Sequence, residues 1–207
     1  MWPCIYSDHC LLRNSSLVID RLCDTTTKLN AAVGCLYCDY RGQKEQTVEV
    51  MIGSLLRQFL TGLDEIPQAI IQAFYAARAH LGGRVLKLAE LVELLSAVLE
   101  RFQQVFICVD ALDEFVPEYR ARLLRSLHQI VGTSPNARLF LTLRPYIQLD
   151  LESNIPLDMG IITIQPRFSD IQTYLVTRLD ADPHPAAMDN ELRSEIMTRI
   201  PRESPEM

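Results

Sequence analysis

The chain has 207 residues, 48% hydrophobic and 22% charged, with a net charge of −6. That balance excludes a disordered chain, and the acidic surplus excludes a nonspecific nucleic-acid binder, which needs a basic footprint. No apolar run approaches the roughly 20 residues of a membrane span, and the opening MWPCIYSDHC has no basic segment followed by an apolar block, so it does not read as a secretory signal.

In chain order, residues 1–14 carry no clear pattern. A helix is expected from Asn14 or Ser15, either of which can cap it, with Val18, Leu22 and Leu29 on a loose stripe. Ala31–Tyr40 reads as a strand leading into a polar turn over 41–46. Thr47 is placed to cap the next helix, whose Val48, Met51, Ile52, Leu55 and Phe59 repeat at spacings of three and four, the mark of a core-facing stripe. Gly62 suits its end. A further helix is expected from Ile66 to Ala79, with Pro67 in its first turn, and Gly82-Gly83 break the chain. The strongest helical signal follows: Leu88, Leu91, Val92, Leu95, Val98, Leu99 and Phe102.

That helix feeds directly into Val105-Phe106-Ile107-Cys108-Val109, an apolar run that reads as a strand buried on both faces. Pro117 then opens a short helix with Leu123, Leu124, Leu127 and Val131 on one face. Leu139–Leu143 reads as a strand, Ile161–Ile164 as a last short one. Ser169 to Gln172 has the form of a capping box for a helix carrying Ile171, Tyr174, Leu175 and Leu179. Asp189 is placed to cap a final helix that Pro201 ends. The alternation of helices and strands predicts an α/β sandwich with a mainly parallel sheet.

The central strand ends in acid: Asp110, then Asp113 and Glu114. In open α/β sheets ligands sit beyond the carboxyl ends of strands, where carboxylates can hold Mg²⁺ or polarise a water. The plain alternative is a strand that runs out into a solvated loop. Asp39 and Arg41 also follow a strand end, where a turn ion pair explains them equally well. His9, His80, His128 and His184 are scattered and support no catalytic triad. The six cysteines read as reduced thiols of a cytoplasmic protein, since Cys108 lies in the core strand. Cys35-x-x-Cys38 has no second Cys or His pair nearby and does not read as a zinc site.

The segment FICVDALDEF (106–115) resembles the Walker B motif of NACHT domains, a branch of the signal-transducing P-loop ATPases, and is most similar to the fungal, nephrocystin-3-like N-terminal kind. Ala137 to Pro145 resembles the family's next strand, which ends in a sensor arginine followed by proline. Leu36 to Arg41 is similar to the strand and turn after the first helix. The resemblance covers roughly residues 15 to 200. It implies a three-layer α-β-α P-loop NTPase-like core with a mainly parallel sheet. It also implies a division into an atypical segment 1–14, a partial NACHT-like core 15–165 and the start of a helical subdomain 166–207. By the same resemblance, Asp110 is the Mg²⁺-side carboxylate. Asp113 and Glu114 are the catalytic acids, Glu114 orienting water, and Arg144 is the sensor on the nucleotide phosphate. Mg²⁺ with ATP or GTP are the implied cofactors, and the implied partners are proteins or further copies, met through domains missing from this chain. No nucleic acid or membrane is implied.

One part of the family pattern does not match. A P-loop reads G-x-x-x-x-G-K-[ST], so that backbone amides wrap the phosphates and the lysine meets their oxygens. No glycine occurs in residues 1–33, and the first lysine is Lys28. Aligning Ser15–Asp20 with the similar family segment drops the lysine and hydroxyl places on Leu11 and Leu12. Losing one preorganised donor typically costs about 3–4 kcal/mol, roughly 10²–10³ in rate, and here a set is missing. The expectation is a fragment that neither binds nucleotide tightly nor hydrolyses it. The alternative is an active ATP- or GTP-dependent oligomerisation switch whose P-loop was lost by gene-model truncation. The core is expected to be incomplete at its N terminus. A first strand, central in the family's sheet, has only Cys4-Ile5-Tyr6 or Cys10-Leu11-Leu12 to form it, and its loss is expected to leave two neighbouring strands facing a gap.

Overall fold

Strand β2 (Gln104–Asp110) is the middle of a three-stranded parallel sheet, between β1 (Ala31–Tyr37) and β3 (Ala137–Leu141). It pairs Ala31 with Gln104 through Tyr37 with Asp110 on one side, and Val105 with Ala137 through Val109 with Leu141 on the other. A strand with neighbours on both edges and helices on both faces has no solvated side. This is why its sequence is an unbroken apolar run rather than an alternating one. The computed structural model describes residues 14–26, 30–79, 83–147, 151, 153–155, 160–164, 167–182 and 188–203.

Helices α1 (Asn14–Thr26), α2 (Val48–Leu60), α3 (Gln68–Ala79), α4 (Leu88–Leu99) and α5 (Pro117–Thr133) complete this part of the chain. Both crossovers, β1 to β2 and β2 to β3, step the same way across the sheet, so right-handed connections put α2, α4 and α5 on one face. Accordingly α2 packs on α4, α5 and β1, and α5 on β3. Gly34 turns toward Leu55 and Phe59 of α2, so Val105, Ile107 and Val109, which share its face, are sealed beneath these helices. Helix α1 packs on β1 and β2 and covers the other face, where Cys108 and Asp110 lie.

Edge strand β1 is protected locally. The Gln58 side chain donates to the Cys35 carbonyl and accepts from the Cys35 N–H, both at 2.8 Å, imitating a neighbouring strand. Thr47 caps α2, its hydroxyl accepting from the Val50 N–H at 3.2 Å. Glu90 fastens the start of α4. It accepts from the Lys87 N–H at 2.8 Å and takes both arms of the Arg84 guanidinium at 2.6 Å. Those two donors hold the Glu90 carboxyl at about 2, well below its ordinary 4.5. A group depressed on folding adds stability above its unfolded value and loses it as pH falls through the folded value. Acid unfolding between about pH 4.5 and 2 is therefore expected to be shallower in Glu90→Gln than in the parent, read by circular dichroism. Equal slopes would show that this solvated pair does not contribute.

Several expectations need correction. Among the described side chains of α1, Ile19 is buried while Val18 is exposed. Strand β1 stops at Tyr37 rather than Tyr40, because Tyr40–Gly42 coil into a short 3-10 turn capped by Asp39. The helix from Pro117 is not short but runs 17 residues, with Ile130 rather than Val131 sealed in the core. Strand β3 ends at Leu141, not Leu143. The described strands β1, β2 and β3 are contiguous. The candidate first-strand segments lie outside the described residues.

The chain divides into two compact units, Met1–Leu157 and Asp158–Met207. In the second, α6 (Phe168–Asp180) and α7 (Asn190–Glu203) pack on each other. Ile161–Ile164 is not a strand. It has no strand partner among the described residues, and Ile162 is 85% exposed; β-branched residues favour a strand only where a neighbour exists to pack against. Helix α6 starts before Ser169, with Arg167 at the N-cap and no side-chain cap bond, so the capping box does not form. Asp189 does cap α7, accepting from the Leu192 N–H at 2.7 Å. Pro201 lies inside that helix; so close to the end, it deletes one hydrogen bond without stopping the last turn. Among the described residues no helix is long and apolar enough to cross a membrane.

Candidate functional site

The carboxyl ends of β2 and β3 meet at Asp110 and Thr142. Asp110 is 4% exposed. The Thr142 hydroxyl donates to Asp110 Oδ1 at 2.6 Å and accepts from the Ala111 N–H at 2.9 Å. The Thr142 backbone continues the ladder, donating to the Val109 carbonyl and accepting from the Leu112 N–H, each at 2.9 Å. A single hydroxyl thus fixes both the carboxylate and the first peptide of the loop behind it.

That loop begins under strain. Ala111 has φ 54° and ψ 49°, the left-handed region, the one non-glycine residue there among those described. The conformation costs an alanine roughly 1–2 kcal/mol. It turns the chain sharply, so that Leu112–Glu114 coil into a short 3-10 turn and Leu112 and Phe115 reach the core. Ala111→Gly is expected to raise stability by about 0.5–1 kcal/mol, the relieved strain exceeding the added entropy of the unfolded chain. Denaturant melts check this, and a destabilised glycine variant would mean the strain is absent.

The three acids do not converge. Asp113, its side chain 5% exposed, accepts from Arg144: the backbone N–H reaches Oδ1 at 3.3 Å and the guanidinium Nε lies 3.3 Å from Oδ2. Glu114 turns toward β1's end, with Oε2 3.4 Å from the Tyr40 N–H, and its carbonyl accepts from Gln43 at 3.0 Å. Arg144 is thus paired with Asp113, and its side chain is 70% exposed. Arg120 on α5 is buried, and its Nη2 donates to the carbonyls of Asp113 and Phe115 at 3.0 Å, clamping the acidic turn from below.

Mg²⁺ takes a regular shell of oxygens and is commonly held by one or two carboxylates together with phosphates. Among the described residues no three of His, Cys, Asp or Glu are grouped to hold a metal. The carboxylate of Asp110 is bound to Thr142, and those of Asp113 and Glu114 face other partners. Among the described residues there is thus no cage of protein ligands, and a cation here would rest on Asp110 together with a phosphate. Cys38, whose N–H donates to the Asp110 carbonyl at 3.0 Å, is buried beside these acids. Burial, and then the charges of Asp110, Asp113 and Glu114, push its thiol up to about 12. Asp39 accepts from the Arg41 N–H at 2.9 Å, and Arg41 Nε donates to the Tyr40 hydroxyl, so a turn cap stands where an ion pair was an equal choice.

Sequence reading missed Thr142, Ala111 and Arg120. Arg120 had a signal: it falls three and four residues before Leu123 and Leu124, on the buried stripe of α5, where a cation needs a partner. Thr142, a hydroxyl closing an apolar strand, had a weaker one. Ala111 had none. The stretch where the family's phosphate cradle would fall, with Leu11 and Leu12 in its lysine and hydroxyl places, lies outside the described residues.

Residues 14–144 match the family described as Nephrocystin 3, N-terminal. No curated protein matches the chain. Among solved structures, a Walker-type ATPase of Pyrococcus abyssi is similar at 13% identity with a TM-score of 0.40, over 92% of this chain and 65% of that one. The chain thus spans under two thirds of that ATPase's length.

Proposed function

The chain belongs to the nephrocystin 3 N-terminal family, and from that premise we propose that it is a P-loop NTPase-like domain of the NACHT type, from an NLR-like, fungal signalling protein, that does not hydrolyse nucleotide. Its acids serve structure. Asp110 anchors Thr142 and the 111–114 turn, and Asp113 holds Arg144. The observation that carries this reading is the divergence of Asp110, Asp113 and Glu114, alongside a sequence in which G-x-x-x-x-G-K-[ST] does not occur. The domain acts, on this reading, in the cytoplasm through protein partners or self-association.

A second reading is favoured by the location of Asp110, Asp113, Glu114 and Arg144, all at the carboxyl ends of adjacent strands β2 and β3. In it the domain is an ATP- or GTP-dependent oligomerisation switch. Asp110 lies on the Mg²⁺ side, Glu114 and Asp113 are the catalytic acids and Arg144 reads the phosphate, once the Asp113–Arg144 contact opens. Thermal melts at millimolar ATP or GTP with Mg²⁺ separate the two. A ligand at 100 times its dissociation constant adds about 2.7 kcal/mol. The non-hydrolysing reading expects no shift. A clear rise that Asp110→Asn abolishes would establish the switch.

A further inference from the structure

We propose that Cys35 and Cys108 form a redox-active dithiol that closes to a disulfide by exchange with a small-molecule disulfide of the glutathione type, joining β1 covalently to β2. The two residues are partners in the parallel ladder. Paired residues of neighbouring strands point to the same face with Cα atoms about 4.8 Å apart, within the window of about 4.4–6.8 Å that a disulfide spans. Both thiols are free. Cys38 is the nearer candidate partner in sequence, but it continues the ladder by donating to the Asp110 carbonyl, which turns its side chain to the opposite face.

Exposure sets the order of events. Cys35 is half-buried and Cys108 is 1% exposed, so Cys35 meets the reagent and Cys108 resolves. The Cys35 thiolate attacks one sulfur of the small disulfide, breaking its S–S bond and releasing one small thiolate. The Cys108 thiolate then attacks Cys35 Sγ, forming the Cys35–Cys108 bond and releasing the second. Two protein thiols are oxidised, one small disulfide is reduced, and the two protein protons pass to the two released thiolates. The neighbouring Cys108 thiol and burial hold the Cys35 thiol well above its usual range, so the thiol form persists at neutral pH and exchange is slow and faster in alkali.

The test is incubation of the full chain with oxidised glutathione, then non-reducing peptide mapping by mass spectrometry. The expected result is a peptide linking Cys35 to Cys108. Dithiothreitol should remove it, and it should be absent from Cys35→Ser and from Cys108→Ala. Circular dichroism reports whether the variants fold, and if Cys108→Ala does not, the link in the parent and its loss in Cys35→Ser decide. Glutathione retained on Cys35 with Cys108 still free, a Cys35–Cys38 link, or two unmodified thiols would each overturn the proposal.

Discussion

Thr142→Val is expected to lower stability by about 3 kcal/mol although it changes neither size nor shape. The substitution deletes one hydroxyl, and with it both the bond to Asp110 Oδ1 and the one from the Ala111 N–H. A hydrogen bond to a charged group contributes about 1.5–3 kcal/mol, and a buried donor left unsatisfied costs about 1–3. For a domain of this size the loss corresponds to a fall in melting temperature on the order of 6–12 °C. Thr142→Ser keeps the hydroxyl and should cost about 1 kcal/mol. Urea melts of the three proteins with unchanged m-values provide the comparison. If valine and serine behave alike, the hydroxyl does not hold the end of β2.

Gly34→Val is expected to be at least as damaging, for a steric reason. A Cβ at Gly34 would stand 2.6 and 2.7 Å from ring atoms of Phe59 and 3.1 Å from Leu55 Cδ2. Phe59 cannot swing aside, because it is 1% exposed and its ring packs against Phe102 at a centroid distance of 6.1 Å. Overpacking of this kind costs about 1–3 kcal/mol, more where backbone must move, and valine adds two methyls beyond the Cβ. Thermal melts should show Gly34→Ala as the milder lesion, part of which Phe59→Leu recovers in the double variant, since touching residues are not additive. Additive losses would mean that β1 shifts instead of Phe59.

The α2 and α4 stripes and the acid-ended strand were legible because each is a local pattern: an apolar residue every three or four positions makes one helix face, and an unbroken apolar run makes a strand covered on both sides. The Ile161–Ile164 segment read as a strand for the same kind of reason, and it is not one, because a strand is completed by a neighbour that no local pattern specifies. The Ser169 capping box misled similarly. Its residues are right for a cap, yet the helix begins at Phe168 and leaves Ser169 inside the first turn.

Site residues divide along the same line. Asp110, Asp113, Glu114 and Arg144 were visible as residue types at strand ends. Their partners were not, because Thr142 lies 32 residues from Asp110, Arg144 31 from Asp113 and Tyr40 74 from Glu114. Such pairs exist only once β1, β2 and β3 align in register. Hydrophobic periodicity along a short stretch of chain is enough to give the α/β class, the buried central strand and the acids that close it. Three-dimensional packing was needed to send the acids to three different partners, to bend Ala111 into a left-handed turn, and to set Cys35 beside Cys108 rather than Cys38. Each of these depends on which strands lie side by side, and that is settled by packing across the sheet.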